Sequence, residues 1–347
     1  MGRKGTFILL VIVTILAYVL HIFKSTGYFK KIENRSEGEM VKTLPFAGVE
    51  DITVDEDDNF GIFISYDRAS ERDGNPKPGG IYALHFTDTT SKVQPLSEGM
   101  DIKLLPHGIS LYQLDSTHHK LFVANHADGE SIEVFDLYHK DSLVHAKTLR
   151  NPLIYAINDI VATSEDTFYF TNDHYYQNTL GRLVENYLGL AKCETVFFDG
   201  LDYRVVDNSL AYANGINYDA ARNLMFIASP RGFKIKVFER LENGDLEYFD
   251  TIDAGTGVDN LEFDSEGAIW SGAHPNLLAF TAYAKGKKPY APSEIVKINY
   301  RGKGDYSVAS VFMDDGTTIS ATSVATIYKD MVLMGNVMDD HFLIMKQ

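Results

Sequence analysis

The sequence is poor in several features that define large protein classes. It holds one cysteine, Cys193, in 347 residues, which excludes an internal disulfide framework and a cysteine-rich zinc site. Basic side chains number 32 against 48 acidic ones, giving a formal net charge of −16. Because phosphate binding needs clustered Lys and Arg, this balance argues against nucleic acid or anionic lipid as the main partner. It leaves open a cation site built from carboxylates and amides.

Long polar tracts are also lacking. Hydrophobic residues make up 45% of the chain and aromatic residues 12%, a composition that argues against disorder. The length allows one large domain or two smaller ones, with ample apolar side chains for a core.

One uninterrupted hydrophobic run lies at the amino terminus, from Thr6 to Phe23. A helix over this run spans roughly 27 Å, close to the hydrocarbon thickness of a bilayer. We therefore predict a membrane anchor within residues 1–30 and a globular domain over residues 31–347. A cleaved signal peptide is the alternative, although no good small-residue cleavage site directly follows the run. The segment that follows the run is more basic than the one before it, so the positive-inside rule would place that following segment in the cytoplasm. The orientation of the anchor therefore stays open.

The remainder of the chain is a repeat. A polar pair opens an apolar strand, a turn rich in Asp, Ser, Gly or Asn follows, and a second apolar strand closes a hairpin. Successive units start 45 to 63 residues apart. Long amphipathic helices do not separate the strands, so the spacing predicts an all-β, six-bladed β-propeller. The opening pairs are Glu50-Asp51, His107-Gly108, Asn158-Asp159, Asn214-Gly215, Asp259-Asn260 and Thr322-Ser323.

The opening residues are expected to meet in space, because the innermost strands of a propeller line its central channel. Small polar residues before strands often form turns. This does not readily explain why nearly every unit carries an oxygen-bearing side chain at the same position, directly before its first strand. Carboxylate and amide oxygens suit Ca²⁺, whereas zinc prefers His or Cys. We predict a polar ring formed by Glu50, Asp51, His107, Asn158, Asp159, Asn214, Asp259 and Asn260.

Histidines are expected at the same mouth. Counting back across the second hairpin returns His126 to the level of His107, and two such imidazoles above a metal would serve as a general base. The same count returns His174 to the level of Asn158 and His274 to that of Asp259. For these two, a buried histidine bonded to backbone is the favoured interpretation.

Several short strings resemble the paraoxonase/arylesterase family. They are PHGIS (106–110), VANH (123–126), NDI (158–160), TNDHYY (171–176), YLGLA (187–191), YANGIN (212–217), GVDN (257–260) and AHPN (273–276). The resemblance implies a six-bladed propeller with two calcium ions in its tunnel. It also implies hydrolysis of lactones and aryl esters, with organophosphates as promiscuous substrates.

Carried over motif by motif, the resemblance implies roles for individual residues. A catalytic calcium would be held by Glu50, Asn158, Asn214, Asp259 and Asn260. A structural calcium would be held by Asp51, the backbone carbonyl of Ile109, and Asp159. His107 and His126 match the family's histidine dyad, with Asp259 as a rival base or nucleophile. His174 matches a histidine near the site, and Tyr212 matches a wall position of the substrate pocket.

The chain departs from the family in its cysteines. The animal members join the first and last strands by a disulfide, whereas Cys193 has no partner here. We therefore expect strand pairing and packing alone to close the propeller.

Two segments outside the repeat are expected near the mouth. Residues 178–192 place six apolar side chains on one helical face, which predicts either a packing helix or, by the resemblance, a lid that touches membrane. Its few basic residues argue against strong binding to anionic lipid. Residues 70–80 contain Pro and Gly and predict a loop that borders the pocket.

The leading hypothesis is a membrane-anchored, calcium-dependent lactonase or arylesterase acting on a small apolar lactone or ester. Its catalytic domain is expected on the extracytoplasmic side, or secreted if the amino-terminal segment is cleaved. A second hypothesis is a paraoxonase-like assembly factor that keeps calcium but works by binding a membrane partner. A third is a gluconolactonase-like propeller with a single metal.

Overall fold

The repeat units predicted from the sequence form the blades of a propeller in the computed structural model, which describes residues 3–87 and 91–347. The described residues form six antiparallel sheets, five with four strands and one with five. Each predicted hairpin supplies the innermost pair of strands of one sheet, as period-2 apolar runs joined by turn residues should. The prediction of six blades is confirmed.

The chain begins with an apolar helix. Helix α1 (Arg3–Ser25) buries none of its residues against the propeller and is long and apolar enough to cross a membrane. The strands β1 (Arg35–Ser36) and β2 (Glu39–Leu44) follow.

The first three blades follow in order along the chain. Blade 1 consists of β3 (Ile52–Asp55), β4 (Phe60–Ser65), helix α2 (Arg68–Arg72), β5 (Gly80–Phe86) and β6 (Ser91–Pro95). Blade 2 consists of β7 (Pro106–Gln113), β8 (His118–Asn125), β9 (Ser131–Tyr138) and β10 (Ser142–Leu149). Blade 3 consists of β11 (Ile157–Ala162), β12 (Phe168–Asn172), helix α3 (Thr179–Leu188), β13 (Cys193–Phe198) and β14 (Tyr203–Leu210).

The last three blades complete the circle. Blade 4 consists of β15 (Ile216–Asp219), β16 (Leu224–Ser229), a 3₁₀ turn (Pro230–Gly232), β17 (Lys234–Arg240) and β18 (Leu246–Asp253). Blade 5 consists of β19 (Gly257–Phe263), β20 (Ile269–His274), helix α4 (Leu277–Ala284), β21 (Ser293–Gly302) and β22 (Asp305–Asp314), with β1 on its outer edge. Blade 6 consists of β23 (Thr322–Tyr328), β24 (Met331–Asn336) and β25 (Phe342–Lys346).

Blade 6 takes its outer strand from the other end of the chain. Strand β2 pairs with β25 from Glu39 opposite Lys346 to Leu44 opposite Phe342. This pairing joins the ends of the ring, and Cys193 is a buried free thiol. Closure by strand pairing without a disulfide is therefore confirmed.

The hydrophobic cores lie between neighbouring blades. Trp270 of blade 5, for example, is fully buried in one cluster with Ala325 and Val332 of blade 6. Each large side chain removed from water in this way contributes about 1.5–3 kcal/mol. Packing between blades thus holds the inner strands at fixed positions around the tunnel.

Two predicted segments differ from the observed elements. Helix α3 begins after Asn178, whose side chain accepts a hydrogen bond from the Gly181 N–H, and it ends at Gly189, which adopts left-handed φ. The predicted helix over 178–192 is therefore too long at its C-terminal end. The predicted loop over 70–80 is wrong at its start, because α2 extends to Arg72 before the chain becomes irregular.

Candidate metal centre and active site

The inner strands present their first residues to one mouth of the tunnel. In four inner strands the pairing with the next strand is irregular at that end. The register shifts there, and residues of the opening pair have no partner on the neighbouring strand. Such bulges turn side chains away from the sheet, here toward the tunnel. Glycine allows close approach between blades: a Cβ on Gly108 would lie 2.4 Å from Asp159 Oδ1.

Five of the predicted ligands form what we call the upper ring. Each is at most 4% exposed, and four carry a buried side-chain oxygen without a hydrogen-bond partner. Buried acceptors are nearly always satisfied in folded proteins, so four unpartnered oxygens around one tunnel mouth fit a site that binds a cation. The upper ring consists of Glu50, Asn158, Asn214, Asp259 and Asn260, and the unpartnered atoms are the Oδ1 atoms of the last four.

Direct contacts connect much of the upper ring. The Asn260 amide donates to the Glu50 backbone carbonyl at 2.9 Å and to Glu50 Oε2 at 3.3 Å. The Asn214 carbonyl oxygen accepts from the Thr171 hydroxyl at 2.7 Å, which fixes its backbone in the neighbouring blade. Residues that lie up to 210 positions apart in the sequence are therefore in contact.

The carboxylates of the upper ring are in an unfavourable environment when no cation is present. Burial raises the pKa of Glu50 to about 6, an increase that the positive charge of Arg68 partly offsets. Burial also raises the pKa of Asp259, and the hydrogen bond from His274 opposes that rise. A divalent cation would remove this electrostatic cost.

The two predicted histidines are in contact beside the upper ring. His107 Nδ1 and His126 Nε2 are 2.8 Å apart, and His126 Nδ1 lies 2.9 Å from Glu130 Oε2. Because the Glu130 carboxylate accepts, His126 carries its proton on Nδ1 and accepts from His107 through Nε2. His107 Nε2 is then left with a lone pair, 3.3 Å from both the Asn158 amide nitrogen and Glu50 Oε1.

The His107 ring is neutral near pH 7. Burial holds its pKa well below the ordinary histidine value, and the positive charge of Arg68 lowers it further. A neutral imidazole with its lone pair facing the upper ring is in the protonation state that a general base requires.

The remaining predicted ligands form what we call the lower ring: Asp51, Ile109 and Asp159. Asp51 accepts from the N–H groups of Ile52 and Ile109 at 2.9 and 2.8 Å. Asp159 accepts from those of Ile160 and Ile216, both at 2.8 Å. Burial raises the pKa of both carboxyls well above the ordinary value, and charge repulsion adds to it, from Glu50 on Asp51 and from Asp51 on Asp159.

A further carboxylate faces the lower ring. A cavity of about 200 Å³ is lined by Ile109, Asp159 and Glu262, among others. Burial and the charge of Asp51 raise the pKa of Glu262 well above its ordinary value, and the Thr53 hydroxyl donates to it at 3.4 Å. The lower part of the tunnel thus holds three acidic side chains.

The two residues predicted near the substrate pocket, His174 and Tyr212, are in contact with each other. His174 contacts Tyr212 edge-on, with ring centroids 5.0 Å apart, and its Nδ1 lies 2.6 Å from Asp173 Oδ1. Helix α3 reaches the same place through Asn186, whose amide nitrogen lies 3.1 Å from His174 Nε2. The sequence favours backbone partners for His174 and His274, but the structure gives both of them side-chain partners. His274 Nε2 contacts Asp259 Oδ2 at 2.8 Å, and His174 contacts Asp173 and Asn186.

Three residues near the tunnel were missed from the sequence: Arg68, Glu130 and Glu262. None of them occupies the repeated blade-opening position that made the ring predictable. The four-residue spacing between His126 and Glu130 is a weak signal on which no prediction could rest.

A separate cluster lies at the hairpin that follows the first inner strand. His119 Nε2 is 3.9 Å from Asp58 Oδ2 and 4.0 Å from Asp55 Oδ2, and Lys140 pairs with Asp58 at 2.9 Å. One ligand atom from each of Asp55, Asp58 and His119 lies within 4.8 Å of the other two, close enough to share an ion. Lys140 already neutralises one of its two carboxylates.

Comparison with known proteins gives concordant results. The family model described as Arylesterase matches residues 73–343. Serum paraoxonase/arylesterase 2 of Gallus gallus is 35% identical over 268 residues, or 75% of each chain. Serum paraoxonase/lactonase 3 of Homo sapiens is 33% identical over the same length and coverage. A solved gluconolactonase from Xanthomonas campestris matches with a TM-score of 0.53 at 12% identity over 91% of this chain and 93% of its own, a likeness of fold alone.

Proposed function

Because the chain belongs to the paraoxonase/arylesterase family, we propose that it is a calcium-dependent hydrolase of lactones and aryl esters. The observation that carries the proposal is the upper ring, where four buried oxygens without partners lie beside a neutral histidine pair. Such a combination of a hard-cation cradle and a general base suits carbonyl hydrolysis.

The donor set of the upper ring fits calcium. Glu50 and Asp259 supply two carboxylates that match the charge of a divalent ion, and three asparagines supply neutral oxygens. No thiol takes part, and the histidine nitrogen nearest the ring is needed as a base. When bound, the ion would supply Lewis-acid chemistry by polarising the substrate carbonyl.

The protein's own residues then move the proton. His107 Nε2 accepts the proton of the attacking water through the lone pair that faces the ring. The resulting charge spreads through His107 Nδ1–H to His126 Nε2, and the Glu130 carboxylate stabilises it. Asp259 is the alternative base, although its Oδ2 is already engaged by His274.

The lower ring would hold a second, structural calcium ion. Asp51 and Asp159 supply two carboxylates, and the Ile109 carbonyl supplies a neutral oxygen. Burial and mutual repulsion raise the pKa of both carboxyls, and a cation between them would relieve that repulsion, which supports the proposal.

Membrane attachment through α1 is part of the proposal. The Tyr18 hydroxyl of α1 donates to the Tyr187 carbonyl of α3 at 3.2 Å, so the two helices are in contact at this point. The apolar face of α3 is open to solvent, with Leu180 73% and Leu183 50% exposed, which favours a lid at a membrane over a packing helix. We place the catalytic domain on the extracytoplasmic side, and protease protection in sealed membrane vesicles of known orientation tests this.

The direct test is hydrolysis of a panel of γ- and δ-lactones and aryl acetates by the purified full-length protein in detergent. We expect turnover that EDTA abolishes and added calcium restores. If the calcium-loaded protein hydrolyses no member of the panel, the enzyme proposal is wrong and a calcium-binding assembly factor becomes the better explanation.

A further inference from the structure

A half-buried arginine with two buried, unpartnered nitrogen atoms lies beside the mouth of the tunnel. Arg68 is the first residue of α2, and its Nε and Nη2 atoms are buried and form no hydrogen bond in the part of the chain that the structure describes. A buried guanidinium without acceptors loses the hydration of its donors and gains nothing in return, so such a group calls for an explanation.

The backbone holds Arg68 beside the upper ring. The Ile64 N–H donates to the Asp51 carbonyl at 3.2 Å, and the Tyr66 N–H donates to the Gly48 carbonyl at 3.1 Å. Gly48 has a positive φ of 54°, and a Cβ there would lie 2.0 Å from the Tyr66 carbonyl oxygen. The segment that leads into Arg68 is thus pressed against the residues that precede Glu50.

The positive charge of Arg68 influences the pKa values of several residues around the tunnel mouth. Burial is the main influence on the pKa values of Glu50, His107 and Tyr212, and the guanidinium acts on all three as well. These residues belong to blades 1, 2 and 4, on different sides of the tunnel. The guanidinium therefore lies near side chains from three blades around the tunnel.

Nearby carboxylates are already engaged elsewhere. Asp67 pairs with Lys77 at 2.7 Å, and Asp73 pairs with Arg72 at 2.7 Å. Asp173, across the mouth, accepts from His174. These three carboxylates therefore have partners of their own, while Nε and Nη2 of Arg68 have no acceptor among the described residues.

We propose that Arg68 is a specificity-determining residue that binds an anionic group, a carboxylate or phosphate, on the substrate. The inference rests on the proposed function and narrows it to lactones or esters that carry a negative charge near the reacting carbonyl. A planar guanidinium fits such groups through two parallel N–H···O bonds, which a neutral amide cannot reproduce. This replaces the expectation of a purely apolar substrate.

The test uses a matched pair of substrates and a matched pair of variants. The substrates are 5-oxooxolane-2-carboxylate and its carboxamide, which share one lactone ring and differ in charge. The variants are Arg68→Gln and, as control, Arg72→Gln on the same helix, since Arg72 binds Asp73 outside the mouth. The measured quantity is the ratio of kcat/KM for the carboxylate over that for the carboxamide.

We expect the wild type and Arg72→Gln to favour the carboxylate, and the ratio to fall at least tenfold in Arg68→Gln. Arg68→Lys should retain an intermediate ratio, because it keeps the charge but loses the fork. An equal ratio in the wild type and Arg68→Gln would overturn the proposal.

A binding measurement separates this proposal from the proposed activity. Calcium-loaded protein is titrated calorimetrically with 3-oxocyclopentane-1-carboxylate, which lacks the scissile oxygen, and with its carboxamide. A preference of tenfold or more that disappears in Arg68→Gln supports the anion site even if no lactone is hydrolysed. Hydrolysis without any such preference supports the enzyme and refutes the anion site.

Discussion

The upper and lower rings of the tunnel use similar residues in different ways. In the upper ring four side-chain oxygens have no partner, and His107 Nε2 lies beside them, 3.3 Å from Glu50 Oε1. In the lower ring each aspartate accepts two backbone N–H groups, one from its own strand and one from the next blade. One ring leaves its acceptors free, whereas the other uses them to join blades.

This difference separates a functional role from a structural one. Asp51 connects blade 1 to blade 2 through Ile109, and Asp159 connects blade 3 to blade 4 through Ile216. Buried hydrogen bonds to a charged acceptor contribute about 1.5–3 kcal/mol each. Changes in the upper ring should therefore reduce hydrolysis, and changes in the lower ring should reduce stability.

The largest effect is expected from the histidine beside the upper ring. His107→Gln removes the lone pair that faces the ring, and we expect kcat/KM for a lactone to fall about 10²- to 10⁴-fold, the range for loss of a general base. The melting temperature should stay close to that of the wild type. Steady-state kinetics and thermal unfolding in calcium measure the two effects.

The control for this change is His118→Gln in the same blade, where the imidazole contacts Asp136 away from the mouth. It should leave lactone hydrolysis nearly unchanged. If His107→Gln is as active as the wild type, Asp259 rather than His107 is the base.

In the lower ring, Asp159→Ala should act chiefly on stability. It leaves the Ile160 and Ile216 N–H groups without acceptors and removes a proposed calcium ligand, so we expect a loss of about 2–5 kcal/mol in the free energy of unfolding. Chemical denaturation in saturating calcium measures it. Asp166→Ala, in the exposed turn of the same blade, is the matched control, and an equal effect of both changes would remove the structural role.

The raised carboxyl pKa values should make the metal-free protein lose stability as pH rises, against a smaller opposite contribution from the lowered pKa of His107. The folded-state pKa of Glu50 is about 6, above the ordinary 4.5, so the folded state holds more protons between these values. The free energy of unfolding of the metal-free protein should therefore fall between pH 4.5 and about 6, by about 2 kcal/mol from Glu50 alone. It should stay low above pH 6. Unfolding curves of metal-stripped protein from pH 4.5 to 7.5 test the sign, and saturating calcium should flatten the dependence at neutral pH. A metal-free stability that rises over this window would contradict the electrostatic account.

The smallest effect concerns the third carboxylate of the lower tunnel. Because burial raises the pKa of Glu262, the charged carboxylate is unfavourable in the metal-free protein, and Glu262→Gln should slightly increase the free energy of unfolding. Glu247→Gln on an exposed strand is the control. A loss of stability in Glu262→Gln would show that the carboxylate has a favourable partner in the folded protein.

Much of the site could be predicted because the fold repeats. Glu50, Asn158, Asn214 and Asp259 occupy the same position in successive units, so recognising the repeat also located the ring. His126 could be placed near His107 by hairpin counting, even though the observed register pairs Pro106 with Asn125 through a bulge.

The rest could not be predicted because it depends on packing rather than on period. Arg68 follows a strand by three residues, and in the sequence it looks like an ordinary loop arginine. Only the hydrogen bond from the Tyr66 N–H to the Gly48 carbonyl shows that this segment lies beside the upper ring. The exposed face of α3 could not be told from a packing face by its spacing. Glu262 lies at a position where a strand residue commonly faces solvent.

The metal content of three proteins tests the two-ring account most directly. Wild type, Asn214→Ala and Asp159→Ala are equilibrated with calcium, separated from free metal by gel filtration, and analysed by mass spectrometry. We predict two calcium ions per chain in the wild type and one in each variant, with hydrolysis lost in Asn214→Ala. A wild type that retains no calcium, or variants that both retain two ions, would contradict the assignment of two distinct sites.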